Sequence, residues 1–251
     1  MTDKVAIVTG AGQGLGEAIA KTLAAAGACV AVNDLNPDRA ERVAGEIRAA
    51  GGRAIAIVAD VSNKFQCVHL VETTRAEWGR LDILINNAGV EPVSSILQMD
   101  EWDWDRCLDV NLKGTFLMSQ LCGRVMADEN KERGGVIVNV SSIAGVEIPL
   151  ANRAAYCASK AGLVGFGREC AREFAQYGIR VNTVVPGVFV TPMTEHSRQN
   201  PDVMAKWMRE IPMQRLGEAD ELAQVVLFLC SDASSYVTGS TVTVDGGKVM
   251  R

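Results

Sequence analysis

Seven short runs of apolar and β-branched residues, separated by longer helical stretches, constrain this chain more than any other feature. The strand-like runs are Lys4–Thr9, Cys29–Asp34, Arg53–Asp60, Leu81–Asn87, Gly135–Ser142, Ile179–Pro186 and Thr241–Gly247. Helical patterning fills roughly 15–26, 37–50, 63–78, 100–128, 155–177 and 219–230. A strand that is apolar at nearly every position is buried on both faces, and strands that alternate with helices pair in parallel through crossovers. The expected fold is α/β, with a doubly wound seven-stranded parallel sheet and helices on both faces. At 251 residues with 48% hydrophobic side chains the chain has enough apolar surface for a sizeable core. No internal repeat and no stretch rich in Pro, Gly or Ser divides it, so residues 1–251 read as a single domain.

Charge and composition remove several classes of function. A formal net charge of −5, with arginines scattered, offers no basic footprint for nucleic acid or an anionic membrane. No apolar run is long enough to span a bilayer, and "MTDKVAIVTG" leads into the first strand without a signal pattern, so a cytoplasmic location is expected. Seven cysteines with no C-x-x-C spacing read as reduced thiols, and His69 and His196 have no second ligand at metal spacing, so no metal site is expected. Neither a G-x-S-x-G elbow nor a G-x-x-x-x-G-K-[ST] loop occurs. The run "DEWDWDR" (100–106) fits acids at a helix start better than a pair of glycosidic carboxylates, and Trp102 and Trp104, two apart, share no helix face.

The first strand is followed by "TGAGQGLG" (9–16). Glycines at such a turn let the backbone approach a pyrophosphate, while the next helix offers unpaired N–H groups and the positive end of its dipole. The spacing is G-x-x-x-G-x-G through Gly10, Gly14 and Gly16 rather than G-x-G-x-x-G, and a turn without a ligand is the alternative. The second strand ends at Asp34, where a carboxylate accepts hydrogen bonds from the adenosine ribose of NAD and repels the 2′-phosphate of NADP. Gln13 and Leu35 occupy the neighbouring positions, so no basic residue is expected to offset it; capping of the next helix is the competing role, although Asn36 and Asp38 serve that purpose equally well. The sequence is thus Rossmann-like at its start.

In "AAYCASKAGL" (154–163), Tyr156 and Lys160 are one helical turn apart and point the same way. A nearby ammonium stabilises a phenolate and brings a phenol of pKa ~10 toward neutral pH. Taken alone, such a pair is more often an ordinary helix-face contact. Together with the glycine loop, "NNAG" (86–89), "SSIAG" (141–145), and Pro186–Gly187 followed by Thr191, it resembles the classical short-chain dehydrogenases/reductases over essentially the whole chain.

That resemblance implies an NAD(H)-dependent oxidoreductase in which Tyr156 is the acid/base, Lys160 lowers its pKa and binds the nicotinamide ribose, Ser142 holds the substrate oxygen, and Asn111 holds a water linking the lysine to solvent. It further implies dinucleotide contacts from Gly10, Gln13, Gly14, Leu15 and Gly16, from Asp34, from Asp60 and Val61 at the adenine, from Asn87 and Ala88 near the adenosine ribose, and from Thr191 at the carboxamide. Asp60 as a helix-start residue, Asn87 as a joint between strands, Ser142 as a local backbone ligand and Asn111 as a local helix asparagine remain compatible structural roles. Ser142 lies fourteen positions before Tyr156, one more than the resemblance leads one to expect, which suggests an extra residue in the loop 147–153.

The family places a substrate-covering lid at about 191–217, where Met193, Met204, Met208 and Met213 suit either an adaptable apolar wall or plain packing. Glu91, Glu147, Ile148, Leu150 and Phe189 adjoin the motifs and are candidates for the pocket lining. The expected small-molecule substrate is a secondary alcohol or polyol and its ketone. A 3-oxoacyl thioester is the alternative within the family, and a non-catalytic dinucleotide sensor the alternative outside it. A homo-oligomer, a tetramer by resemblance, is expected through the helices at 100–128 and 155–177.

Overall fold

The structure is a computed structural model that describes residues 1–250. Its strands are β1 (Val5–Val8), β2 (Cys29–Asp34), β3 (Arg53–Val58), β4 (Ile83–Asn86), β5 (Gly135–Val140), β6 (Ile179–Pro186) and β7 (Thr241–Val244), all parallel, in the order β3-β2-β1-β4-β5-β6-β7. The seven-stranded doubly wound sheet expected from the sequence is therefore present. Strand order reverses between β1 and β4, and ligands bind such sheets in the crevice at the carboxyl ends of those strands.

Alternation along β1 explains the layering. Ala6 and Val8 face a core completed by α1 (Gly14–Ala25), α2 (Pro37–Ala49) and α10 (Ala219–Cys230), whereas Val5 and Ile7 face one completed by α3 (Lys64–Trp78), α5 (Gly114–Glu129) and α7 (Ala154–Phe174). Successive side chains on a strand point to opposite faces, so a four-residue apolar strand supplies both cores. Asn36 caps α2 by accepting from Arg39 N at 3.0 Å, and Asn63 caps α3. The cap therefore falls to Asn36, which leaves Asp34 free for another role.

The helical stretch expected at 100–128 is interrupted. It consists of α4 (Glu101–Leu108), a π turn over Asp109–Lys113, and α5. A single π turn inserts one residue into an α-helix, and Asn111 is at its centre. Asp100 caps α4, and Trp102 on the same helix is exposed, as expected for a solvated helix start. After β5, the short turn α6 (Ile143–Val146) leaves helical geometry at Ala144 and Gly145. The segment expected to form a lid carries α8 (Glu195–Arg198) and α9 (Pro201–Glu210). Among the described residues, no helix is long and apolar enough to cross a membrane.

Candidate active site

A cavity of about 400 Å³ lies along the carboxyl ends of β1, β2, β4, β5 and β6. All the catalytic and cofactor positions expected from the sequence line it, apart from Gly16 and Asn111, which are just behind its wall.

At one end of the cavity the glycine loop is built by close approach. A Cβ on Gly16 would run into the carbonyl oxygen of Gly10 and the side-chain amide of Asn87, so only glycine fits. Gly12, which the glycine spacing passes over, matters as much: its N–H donates to Asp34 Oδ2 at 2.9 Å, and a Cβ there would lie 2.6 Å from that oxygen. Asp34 Oδ1 accepts from Asn36 N at 2.9 Å, so both carboxylate oxygens are held by backbone and the charge is fixed facing the cavity. The N-cap of α1, Gln13, makes no side-chain capping bond and lines the cavity with Gly14 and Leu15. A helix N-terminus without a cap, opening on a cavity, suits an anionic group.

A basic residue does stand near Asp34, contrary to the expectation from Gln13 and Leu35. Arg39, in the first turn of α2, lines the cavity beside Asp34, and Arg106 lines it from α4. Arg39 is five residues past the end of β2 in sequence, and helical geometry brings it back over the glycine loop, where a Cβ on Gly12 would meet Arg39 Cβ at 2.7 Å. Arg106 Nη1 donates to Asp60 Oδ2 at 3.1 Å and to Ser62 Oγ at 2.9 Å. Asp60 also accepts from the backbone and hydroxyl of Ser62, and its carboxyl, although partly desolvated, is held below the usual carboxylate range by these donors. Asn87 donates to the carbonyls of Thr9 and Gly10 at 2.9 and 3.0 Å, and Thr9 Oγ1 accepts from the backbone N–H groups of Asn87 and Ala88. Asn87 thus joins β1 to β4 while lining the cavity.

At the other end are Ser142, Tyr156 and Lys160. Lys160 is 4% exposed; its Nζ donates to the Val140 carbonyl at 2.8 Å and lies 5.6 Å from the Tyr156 ring centroid. Burial pulls the ammonium pKa down to about 8, against opposing fields from Cys107 and Glu91. Burial, with a further push from Glu91, raises the Tyr156 phenol, while the Ser142 hydroxyl acts the other way. Ser142 Oγ accepts from Ala144 N at 3.1 Å, and the neighbouring Ser141 donates to the Lys160 carbonyl at 2.7 Å, which fastens α7 to the end of β5. The placement agrees with Ser142, rather than Ser141, as the serine facing the phenol.

Asn111 is fully buried, with its side chain committed to protein. Oδ1 accepts from Val90 N at 2.8 Å, and Nδ2 donates to the Val90 carbonyl and to Ser159 Oγ, each at 3.0 Å. Its backbone carbonyl accepts from Thr115 Oγ1 at 2.9 Å. The side chain therefore pins the loop after β4 onto α7. Among the remaining candidates, Thr191, Met193 and Phe189 line the cavity. Met204 and Met208 line a shallow depression with Arg198 instead, and Glu147, Ile148 and Leu150 line a neighbouring groove. Sequence spacing places these residues near the site without saying which way they face.

The cavity has three parts: a cradle for an anion at a helix start, a fixed carboxylate near one end, and a phenol, hydroxyl and ammonium at the other. Such a set can hold an extended dinucleotide and move a proton beside its far end. Residues 10–248 match a family model described as enoyl-(acyl carrier protein) reductase. A 3-oxoacyl-[acyl-carrier-protein] reductase of Synechocystis is 40% identical over 100% of this chain and 98% of its own. Among solved structures, a protein of Sinorhizobium meliloti 1021 proposed to be a short-chain alcohol dehydrogenase superposes with a TM-score of 0.94 at 39% identity, covering 99% of this chain and 97% of that one. A short-chain type dehydrogenase/reductase from Mycobacterium marinum gives 0.94 at 37% identity, covering 100% and 97%.

Proposed function

The chain belongs to the classical short-chain dehydrogenases/reductases, and from that premise we propose that it is an NAD(H)-dependent enzyme interconverting a secondary alcohol or polyol and its ketone, with Tyr156 as acid/base. Oxidoreductase chemistry and a nicotinamide dinucleotide follow from the family. The observation that carries the catalytic assignment is the placement of Lys160 Nζ 5.6 Å from the Tyr156 ring, with both side chains buried at the end of the cavity.

The residues present fit the dinucleotide: glycine backbone where a Cβ would collide, an uncapped helix start, and Asp34 held facing the cavity. Gly10, Gln13, Gly14, Leu15 and Gly16 would receive the phosphates, Asp34 the adenosine ribose, Asp60 and Val61 the adenine, Asn87 and Ala88 the nearby ribose edge, and Thr191 the carboxamide. When bound, the nicotinamide supplies the hydride acceptor for oxidation or the donor for reduction. In oxidation, Tyr156 as phenolate takes the substrate hydroxyl proton, and in reduction the phenol returns it. Ser142 Oγ holds the substrate oxygen and offsets charge that develops there. With a pKa of about 8, Lys160 is mostly charged at pH 7, and its field favours the phenolate that burial disfavours. Asn111 acts by fixing the loop at Val90 against α7.

A 3-oxoacyl thioester is the second reading, favoured by the Synechocystis relative and by Arg39 beside Asp34, a cation where a 2′-phosphate of NADP would need one. Nicotinamide absorbance decides between them. With NADH and, separately, NADPH, the purified protein is offered cyclic ketones, ketoses and 3-oxoacyl thioesters. NADH oxidation on a ketone is expected; turnover confined to 3-oxoacyl thioesters with NADPH would replace the first reading by the second.

A further inference from the structure

We propose that Arg106 is a positioning residue for base recognition: its guanidinium fixes the Asp60 carboxylate with one acceptor position left for the exocyclic amino group of an adenine, and a base with a carbonyl there is disfavoured. The proposal rests on the dinucleotide reading, with Asp60 at the adenine, and adds the residue that aims it.

Arg106 closes the run 100–106, whose acids serve the start of α4. A cation in the last turn of a helix usually answers the negative end of the dipole. Here that end does not exist as a free terminus. Asp109, the next residue after α4, keeps helical geometry and its N–H donates back to the Arg106 and Asp105 carbonyls, and the chain runs on through the π turn into α5. The side chain instead reaches 46 positions back in sequence, where Nη1 donates to Asp60 Oδ2 at 3.1 Å and to Ser62 Oγ at 2.9 Å. With side chains 29% and 23% exposed, the Arg106–Asp60 pair is partly sheltered from solvent screening, and both members line the cavity.

The loop after β3 has its shape without the arginine. Asp60 Oδ1 accepts from Ser62 N at 2.9 Å and from Ser62 Oγ at 2.7 Å, and Asp60 N donates to Gln66 Oε1 at 2.7 Å. Asn63 N donates to the Asp60 carbonyl at 3.0 Å, and Asn33 Nδ2, from β2, donates to the Ala59 carbonyl at 3.0 Å. These bonds hold the backbone and one carboxylate oxygen. Among the described residues, Oδ2 accepts from Arg106 alone, so the guanidinium is what stops the carboxylate plane from turning about Oδ1. A carboxylate offers about four acceptor positions. Two on Oδ1 and one on Oδ2 are filled, which leaves one on Oδ2, in a cavity wall that also contains Val61 and Val110. An amino N–H satisfies that position. A carbonyl would set its lone pairs against those of an anion held in place.

The test is the ratio of two dissociation constants, measured by fluorescence titration of the purified protein with NADH and with its reduced hypoxanthine analogue, which carries a carbonyl in place of the adenine amino group. The wild type is expected to prefer NADH by roughly tenfold or more. Arg106→Met should weaken NADH binding and narrow the preference to within about threefold, since the carboxylate then turns freely. Arg106→Lys, which keeps a cation with a donor for Oδ2, is expected between the two; a lysine variant no better than methionine would contradict the role of that bond. Circular dichroism checks that each variant is folded. If Arg106→Met weakens both dinucleotides equally and leaves the ratio unchanged, the arginine is only a fastening between α4 and the loop, and the proposal is overturned. A ratio that widens would overturn it too, by making Arg106 itself the contact to the base. Asp60→Asn separates the proposal from the reading beneath it. NADH binding with the wild-type ratio in that variant would remove Asp60 from the adenine, whatever Arg106 does.

Discussion

Lys160 shows how a binding site is maintained against stability. Its pKa of about 8 lies below the unfolded value of 10.5, so between those pH values the unfolded chain binds more protons and stability rises with pH. Below about pH 8 the full penalty applies, a few kcal/mol at about 1.4 kcal/mol per unit. Lys160→Met should therefore melt at higher temperature than the wild type at pH 7 without cofactor. The advantage should fade toward pH 10, and turnover should fall by at least about 100-fold. Calorimetry at the two pH values checks this, and a lower melting temperature at pH 7 would contradict it. At the opposite end of the cavity, Asp34 and Arg39 share the lining. Asp34→Ala should narrow the ratio of kcat/KM for NADH over NADPH by roughly tenfold or more, since it removes repulsion and leaves a cation. An unchanged ratio in steady-state kinetics would remove Asp34 from the ribose site.

Among the elements, the turn from β1 into α1 has the least freedom. Gly16 backs directly onto the Gly10 carbonyl, so Gly16→Ala must displace backbone rather than a flexible side chain. A loss of about 2 kcal/mol in urea unfolding, with NADH affinity reduced at least tenfold, is expected; wild-type affinity by fluorescence titration would show that the loop need not be this tight. This element was legible in the sequence because glycine spacing between a strand and a helix has one main physical cause. Gly12 was passed over because its partner, Asp34, is defined only by the fold. The break at Asp109–Lys113 left no mark either: "DVNLKG" has ordinary helical patterning, and the π turn is recognisable only in the backbone, where Gly114 N donates to the Asp109 carbonyl five residues back.

For the molecule as a whole, the alternation of apolar strands and helices was enough to state the sheet, its parallel sense and its two layers, since burial on both faces leaves few other arrangements. The ordered motifs located the phenol, the ammonium and the serine. What stayed hidden depends on which way side chains turn. Arg39 reaches the glycine loop only because α2 folds back over it, and Arg153 meets Glu91 only across two loops. Of the four methionines in the segment expected to form a lid, Met193 alone lines the cavity. Periodicity reports a face of an element, whereas a site is assembled from several elements at once. The central claim, that Tyr156 exchanges the proton while the surrounding residues bind and orient, is tested most directly by turnover and NADH binding of Tyr156→Phe, measured side by side with the wild type. Binding within about twofold of the wild type, with kcat lowered by about 1,000-fold or more, is the predicted result. Turnover within tenfold of the wild type would contradict it.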